Sequence, residues 1–590
     1  MRRLCGCFGW LLALLAAPVA QAQAPAWALA TSGSLASMPA GSASSINGTA
    51  TDPATGNVYV TGFFTGTVGF GATQLVSAGG FDVFVAKWDA TANAWTSAVR
   101  GGGTGDDGGL SVAVVTTGGV ASVYLTGYFT SGGNASLAGT ALAGTGGLDM
   151  FVAKYTDSGA GLSAMGGGAL GGGGTSDDRG QGIAVLRTGS TTAVYVTGSF
   201  TSGPAASIAG TALAGAGGLD VFVAKYTDAG TGLSTAGGGA VRGGSAGADE
   251  GKAIAAVSVG SLAYVYVTGS FTGSTSLAGT TLTAAGNSDV FVARYSDAGA
   301  GLSATGGAAV SGGGGGYDTG YGLAAVSTGT STSVYVAGSY DSASGATIAG
   351  TPLAGAGSND LFVAKYTDTG TSLSATGGGA VRGGGPGYDI GYAVAVARTG
   401  NATTVYVAGI FSSGGSASIA GTTLTSTGSV NIFVAKYTDV GFGLSATGGG
   451  AVGGGGTSFD QGNSIALAGQ RVYLGGFIIP PATFGSVTLA GPTGGSFLNV
   501  LARINDATLT PLPTRAAGAA AELALFPNPA TTLSTLSGAA PGAAVRVLDV
   551  LGRLVLTTTA DASGAAALGG LAPGVYVVRA GAGAVRLAVQ

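Results

Sequence analysis

The sequence predicts an all-β chain: a seven-bladed β-propeller closed by its own N-terminal strand, followed by a small Ig-like β-sandwich. Three observations predict it. A unit of about seventy residues repeats seven times. Each unit carries four short strand-like runs and no sustained 3.6-residue apolar period. The last unit lacks an outer strand, and the N-terminus supplies a matching spare.

The repeat is marked by a tyrosine at Tyr59, Tyr124, Tyr195, Tyr266, Tyr335, Tyr406 and Tyr473, with spacings of 65, 71, 71, 69, 71 and 67 residues. A second marker, Phe-Val-Ala-Lys in most units, places Lys87, Lys154, Lys225, Arg294, Lys365, Lys436 and Arg503 in step with the first. In the unit spanning 249–316, Ala253–Val257 is an apolar run suited to a strand buried on both faces. Tyr264–Phe271 is β-branched and aromatic, the composition of a strand. Ser274–Asn287 is made of small residues and reads as a short hairpin or an ordered loop. Asp289–Tyr295 is a third strand, and the Gly-rich Leu302–Val310 a twisted outer one. One such unit cannot bury its own faces, so neighbours must stack.

The seventh unit provides Ser464–Leu467, Val472–Phe477 and Asn499–Ile504 and then stops. The segment Ala26–Gly33 resembles the outer strand of the first unit, Ala94–Gly101. It is expected to complete the last blade and leave few strand edges exposed.

The units resemble the SBBP-type bacterial β-propeller repeat, on the strings Asn57-Val58-Tyr59-Val60-Thr61-Gly62 and Phe81-Asp82-Val83-Phe84-Val85-Ala86-Lys87 and their counterparts. The resemblance covers residues 26–504 and implies the propeller fold. It implies no particular activity.

At the N-terminus, Arg2 and Arg3, the apolar stretch Trp10–Ala17 and Ala20-Gln21-Ala22 read as a signal peptide over residues 1–22. The only cysteines, Cys5 and Cys7, lie within it. The mature chain is therefore expected to have no disulfide and no cysteine-bound metal. Histidine is absent from all 590 residues, which excludes histidine-dependent nucleophile systems and histidine-ligated zinc. The net charge of −4 gives no basic field for nucleic acid. Past residue 22 no apolar run is long enough to span a bilayer.

Residues 505–520, with Asp506, Pro511 and Pro513, read as a linker. Residues 521–590 then carry a new strand pattern. Four motifs mark it: Pro527-Asn528-Pro529, Asp549-x-Leu551-Gly552-Arg553, Leu571-x-Pro573-Gly574-x-Tyr576, and a final strand containing Arg586. In this order they resemble the type A C-terminal sorting domain of the type IX secretion system of Bacteroidetes. That resemblance implies the type IX machinery as a partner, passage through the outer membrane, and an address at the outer cell surface or outside the cell.

Chemistry has one recurrent candidate. An acid precedes the first strand of six units: Asp107, Asp178, Asp249, Asp318, Asp389 and Asp460. The structural reading is that each caps a tight Gly-rich turn. The sharper reading is a rim that binds Ca²⁺ or a polar ligand, since carboxylates suit hard cations. A second set, Asp82, Asp149, Asp220, Asp289 and Asp360, becomes Asn431 and Asn499 in the last units, as turn capping allows. No catalytic constellation and no required cofactor emerge. The expected role is a monomeric, non-enzymatic binding or adhesion scaffold for a glycan, protein or surface polymer. The alternatives are a carbohydrate-active enzyme using rim carboxylates and a structural surface-layer component.

Overall fold

The computed structural model describes residues 25–33, 42–509 apart from 202–205, 342, 413, 442 and 492–495, and 523–590 apart from 527, 538, 540, 541, 562–564, 581 and 582. The signal segment, most of the linker and Pro527 lie outside the described residues. The strands of the described residues pair antiparallel, with a few isolated parallel bridges and without a helix.

Each unit contributes four antiparallel strands whose order follows the sequence, and the outer strands of units 4 and 6 pair on into the hairpin of the next unit. In sheet 4 the strands are Glu250–Val259, Leu262–Phe271, Asp289–Asp297 and Leu302–Gly314. The small-residue stretch forms a hairpin, Ser274–Leu277 with Thr280–Thr283. Equivalent hairpins occur in all seven units. Sheet 7 departs from this order. Its inner strands Gln461–Ala468, Arg471–Ile478 and Leu498–Asn505 take Trp27–Ser32 as the fourth. Trp27 pairs with Ile504 and Ser32 with Val500, antiparallel.

Each inner strand lies against the inner strands of its neighbouring sheets, and that of sheet 1 lies against that of sheet 7. Apolar clusters fill the spaces between sheets. One joins Tyr59 and Val83 of sheet 1 to Val123 and Phe151 of sheet 2. Another joins Ile46 and Phe84 of sheet 1 to Tyr473 and Leu501 of sheet 7. Burying a side chain of this size contributes about 1.5–3 kcal/mol, so stacking rather than any single sheet supplies the stability.

The glycine of the Val-Tyr-Val-Thr-Gly string has a specific cause. Every inner strand carries a bulge opposite it, between Gly251 and Ala253 in sheet 4. A Cβ on Gly269 would lie 1.8 Å from the carbonyl oxygen of Glu250. Only glycine admits that approach.

The tail is a separate sandwich. A three-stranded sheet contains Leu533–Ser537, and a four-stranded sheet contains Ala544–Leu548 and Gly574–Ala580. Leu536, Val545, Val547, Leu568, Val578 and Leu587 form its core.

Candidate functional site

The seven inner-strand bulges project one residue each toward a common axis. The bulge residues are Asn47, Leu110, Gln181, Lys252, Tyr321, Tyr392 and Asn463, and together they line a cavity of about 210 Å³. The sheets repeat, but these seven positions carry five different residue types. Lys252 donates to Glu250 at 2.5 Å. Tyr321 and Tyr392 meet edge to face at 5.2 Å, and burial pushes both hydroxyls up. Asn463 Nδ2 donates to the Ile46 carbonyl at 2.9 Å and reaches Asn47 Oδ1 at 3.3 Å. The cavity thus offers amide, ammonium and phenol groups at different points of one wall. No carboxylate residue is among those lining it.

The six recurrent acids stand at the starts of the inner strands, with side chains turned into the protein. Each is at most 1 % exposed. The Oδ2 of Asp107 accepts from the Gly103 amide at 2.6 Å, and that of Asp178 from Gly174 at 2.6 Å. Ser245, Gly314, Gly385 and Gly456 donate in the same way to Asp249, Asp318, Asp389 and Asp460. In five of them Oδ1 also accepts a backbone amide, as from Thr130 to Asp107 at 3.0 Å. Burial pushes all six carboxyls up. Asp178, Asp318 and Asp389 reach about 6, with Asp149, Asp289 and Asp360 beside them adding repulsion. In sheet 1 the equivalent position is Ser44, whose hydroxyl accepts from both nitrogens of Asn499.

The second acidic set caps turns. Asp149 Oδ2 accepts from the Thr145 amide at 2.9 Å, and Asn431 Oδ1 does the same for Thr427 at 2.9 Å. Asn499 Oδ1 accepts from Gly33, tying the end of the N-terminal strand to the last sheet at 2.9 Å. Among the described residues, no cluster of three or more Asp or Glu side chains has metal-binding geometry.

A third set escaped the sequence reading. The acid that closes each Lys-Tyr-Thr-Asp string bridges back to the preceding sheet. Asp297 accepts from Lys225 at 2.7 Å and from the Tyr195 hydroxyl at 2.7 Å. The same triad joins Lys87, Tyr59 and Asp157; Lys154, Tyr124 and Asp228; Lys365, Tyr335 and Asp439. Arg294 and Tyr266 hold Asp368. Lys436 and Tyr406 hold Asp506. Composition assigns Asp506 to the linker, but its carboxylate belongs to the array. Burial pushes Asp157, Asp228, Asp297 and Asp439 up, but hydrogen bonds from the lysine and tyrosine outweigh it and hold them below the ordinary value. The same balance takes Asp506 to about 2. The signal lay in the recurrence of the acid itself, two residues after the repeated tyrosine of the third strand. The bulge residues had the opposite signal, a variable position inside an otherwise repeated string.

In the tail, Asp549 accepts from the Leu551 and Arg553 amides at 2.9 Å each, and Arg553 Nε donates to it at 2.7 Å. Gly552 completes that turn at φ 77°. Asn528 clasps the last strand, donating to the Arg586 carbonyl at 2.7 Å and accepting from the Ala588 amide at 2.9 Å. The Tyr576 hydroxyl donates to the Ala572 carbonyl at 2.7 Å, fixing the Pro573-Gly574 turn. Asn528, Asp549, Arg553 and Tyr576 thus each have a local structural bond that explains their place.

Residues 524–588 match the family described as the secretion system C-terminal sorting domain. This tail indicates export to the cell surface or the extracellular space, by type IX secretion, and implies contact with that machinery. No helix among the described residues is long and apolar enough to cross a membrane. No curated protein matches the chain. Among solved structures, a protein of unknown function from Dyadobacter fermentans is 8% identical, with 81% of this chain and 99% of that one covered at a TM-score of 0.31. The Bombyx mori GH32 beta-fructofuranosidase is 8% identical, covering 80% and 94% at 0.25. PorZ, a surface component of the type-IX secretion system of Porphyromonas gingivalis, is 10% identical, covering 93% and 99% at 0.13. At these TM-scores the likenesses carry no argument.

Proposed function

We propose that the chain is a closed seven-bladed β-propeller of SBBP-type units, exported by its tail to act as a non-catalytic binding scaffold. The antiparallel pairing of Trp27–Ser32 with Leu498–Asn505 supports the closed ring. The single observation that carries the binding role is the axial cavity. Its seven positions are equivalent in backbone but differ in side chain, and they concentrate Lys252, Tyr321, Tyr392, Asn47 and Asn463 at one place. Structural repetition with chemical divergence at one surface is how a scaffold acquires a site. A hydrolytic reading based on the six recurrent acids requires carboxylates free to meet a substrate, and theirs are occupied by backbone amides.

The test is retention of the mature chain on an array of glycans and matrix proteins, with product analysis of the same incubations. Retention without turnover is expected. It should fall at least about tenfold in Tyr392→Ala or Lys252→Ala, the loss of roughly one well-placed contact of 1.4 kcal/mol. Product release would overturn the non-catalytic reading, and unchanged retention in both variants would remove the cavity from it.

A further inference from the structure

The residue just before each recurrent acid occupies one equivalent position at the mouth of the inner strands. In sheets 2 and 3 it is Asp106 and Asp177, and the side chain is structural. Asp106 Oδ1 accepts from the Phe81 amide, and Asp177 Oδ1 from the Leu148 amide, each at 3.0 Å. In sheets 5, 6 and 7 the position is Tyr317, Tyr388 and Phe459. There the backbone makes the link between sheets directly, through bridges from Tyr317 to Ser288, Tyr388 to Asn359 and Phe459 to Val430. The aromatic rings are relieved of that task.

These rings are exposed: Tyr317 by 65 %, Tyr388 by 56 % and Phe459 by 38 %. They are the exposed aromatic side chains among the described residues of the array, and they fall on consecutive sheets at one repeat position. Neither tyrosine hydroxyl has a hydrogen bond among the described residues, so both rings are held only at their backbone. Phe459 is backed by Phe477, centroids 5.8 Å apart and nearly parallel, and Phe477 by Phe497 at 4.8 Å. Isolated exposed apolar residues are ordinary. A regular series of flat ones at one repeat position on consecutive sheets is not.

The surroundings select the occupant. The rings are flanked by small residues, Gly315-Gly316, Pro386-Gly387 and Thr457-Ser458. Each is therefore a separate stacking platform, not part of a continuous apolar core of the size a stable protein interface buries. Nucleic-acid bases stack on such rings too, but a chain of net charge −4 has no basic field for phosphates. The position loses its carboxylates in these three sheets, so the platforms do not select for cations. A ligand that is uncharged, repeats along its length and presents flat C–H faces matches a row of equivalent rings, whose negative faces attract C–H groups.

We infer that Tyr317, Tyr388 and Phe459 form a stacking arc for a neutral polysaccharide, laid across sheets 5 to 7 beside the axial cavity. The inference rests on the reading of the chain as a binding scaffold and names its ligand class.

The test is electrophoresis of the full mature chain through gels containing a β-glucan, a galactomannan or a xylan, with alginate as an anionic control. At least one neutral polymer is expected to retard the chain, with little change on adding salt. The triple variant Tyr317→Ala, Tyr388→Ala, Phe459→Ala should lose at least about tenfold in apparent affinity while keeping its melting temperature. Restoring all three positions as Trp should restore retardation. Retardation of the triple variant equal to that of the unmodified chain overturns the arc. So does retardation by alginate alone. If no neutral polymer retards the chain but the array retains it on a protein, the arc fails and the scaffold reading stands. If nothing is retained by either method, both fail.

Discussion

Six of the seven junctions between sheets share one polar latch, and the junction between the last sheet and the first does not. At the six, a buried lysine or arginine and a tyrosine of one sheet grip an aspartate of the next. At the seventh, the Tyr473 hydroxyl and Arg503 Nε are buried without a hydrogen-bond partner among the described residues. The position equivalent to the latch aspartate is Ala90 in the first sheet, and the neighbouring Asp89 accepts from the Thr91 and Ala92 amides of its own turn at 2.8 Å each. Arg503 donates to Asn93, an exposed contact at 3.0 Å. What joins this junction is different in kind. Arg471 donates to the Ala90 carbonyl at 2.7 Å, Asn463 donates to the Ile46 carbonyl, and the strand Trp27–Ser32 supplies an entire ladder. Neighbours in sequence are held by repeated ion-paired triads, whereas the two ends of the chain are held by a strand ladder and by uncharged or single hydrogen bonds.

That difference can be broken deliberately. The largest effect is expected from removing residues 25–33. The last sheet then loses a strand, the Trp27 indole bond to the Gly453 carbonyl at 2.7 Å and the Trp27 contact with Phe484. It also gains an open edge along Leu498–Asn505, a template for self-association. A loss on the order of 5 kcal/mol is expected from the buried side chains and ladder bonds together. Thermal unfolding and size-exclusion chromatography would read it. A monomer that melts within about 1 °C of the intact chain, on the order of 1 kcal/mol for an array of this size, would show that the strand is dispensable.

A smaller effect separates latch from end junction directly. Lys225→Met leaves the carboxylate of Asp297 buried without its cation, which costs about 3–5 kcal/mol. Arg503→Met removes one exposed contact and is expected to cost about 0–1 kcal/mol. Urea midpoints of the two variants compare them, and equal losses would erase the distinction between the junctions.

The smallest effect is on pH. Asp178, Asp318 and Asp389 titrate higher in the folded chain, near 6, than the value of about 4 expected when unfolded. The stability gained by protonating them is complete below about 4 and is lost as pH rises through about 6. The latch acids have lowered values, so their contribution is present above about 4 and is lost as pH falls, down to about 2 for Asp506. The melting temperature should therefore decline from pH 5 to pH 7 and decline again below pH 4. A midpoint that climbs between pH 5 and pH 7 contradicts the first half. Lys225→Met should flatten the acid limb, because Asp297 no longer has a cation to lose.

The repeated strings made the strands legible. Tyr264–Phe271 and Asp289–Tyr295 each say strand through local composition, and the spare segment at Trp27 says where a fourth strand is missing. The turn-capping role of Asp149 and Asn431 was also readable, because an acid that tolerates replacement by its amide is bonding rather than reacting. The candidate site was less legible. The recurrent acids drew attention as a ring of possible ligands, and backbone amides occupy them instead. Lys252, Tyr321 and Tyr392 were harder to find because their signal, variation at one position of a repeated string, does not say which way the side chain faces.

The chain's own pattern determined the element types, their number per unit, the turn chemistry and the export tail, since each depends on residues within a few positions of one another. Stacking of the sheets decided the rest. Tyr59 meets Asp157 across 98 residues of sequence and Asn463 meets Ile46 across 417. Contacts at such separations arise only when whole sheets are brought side by side, because no short-range preference carries information about which sheet will become the neighbour.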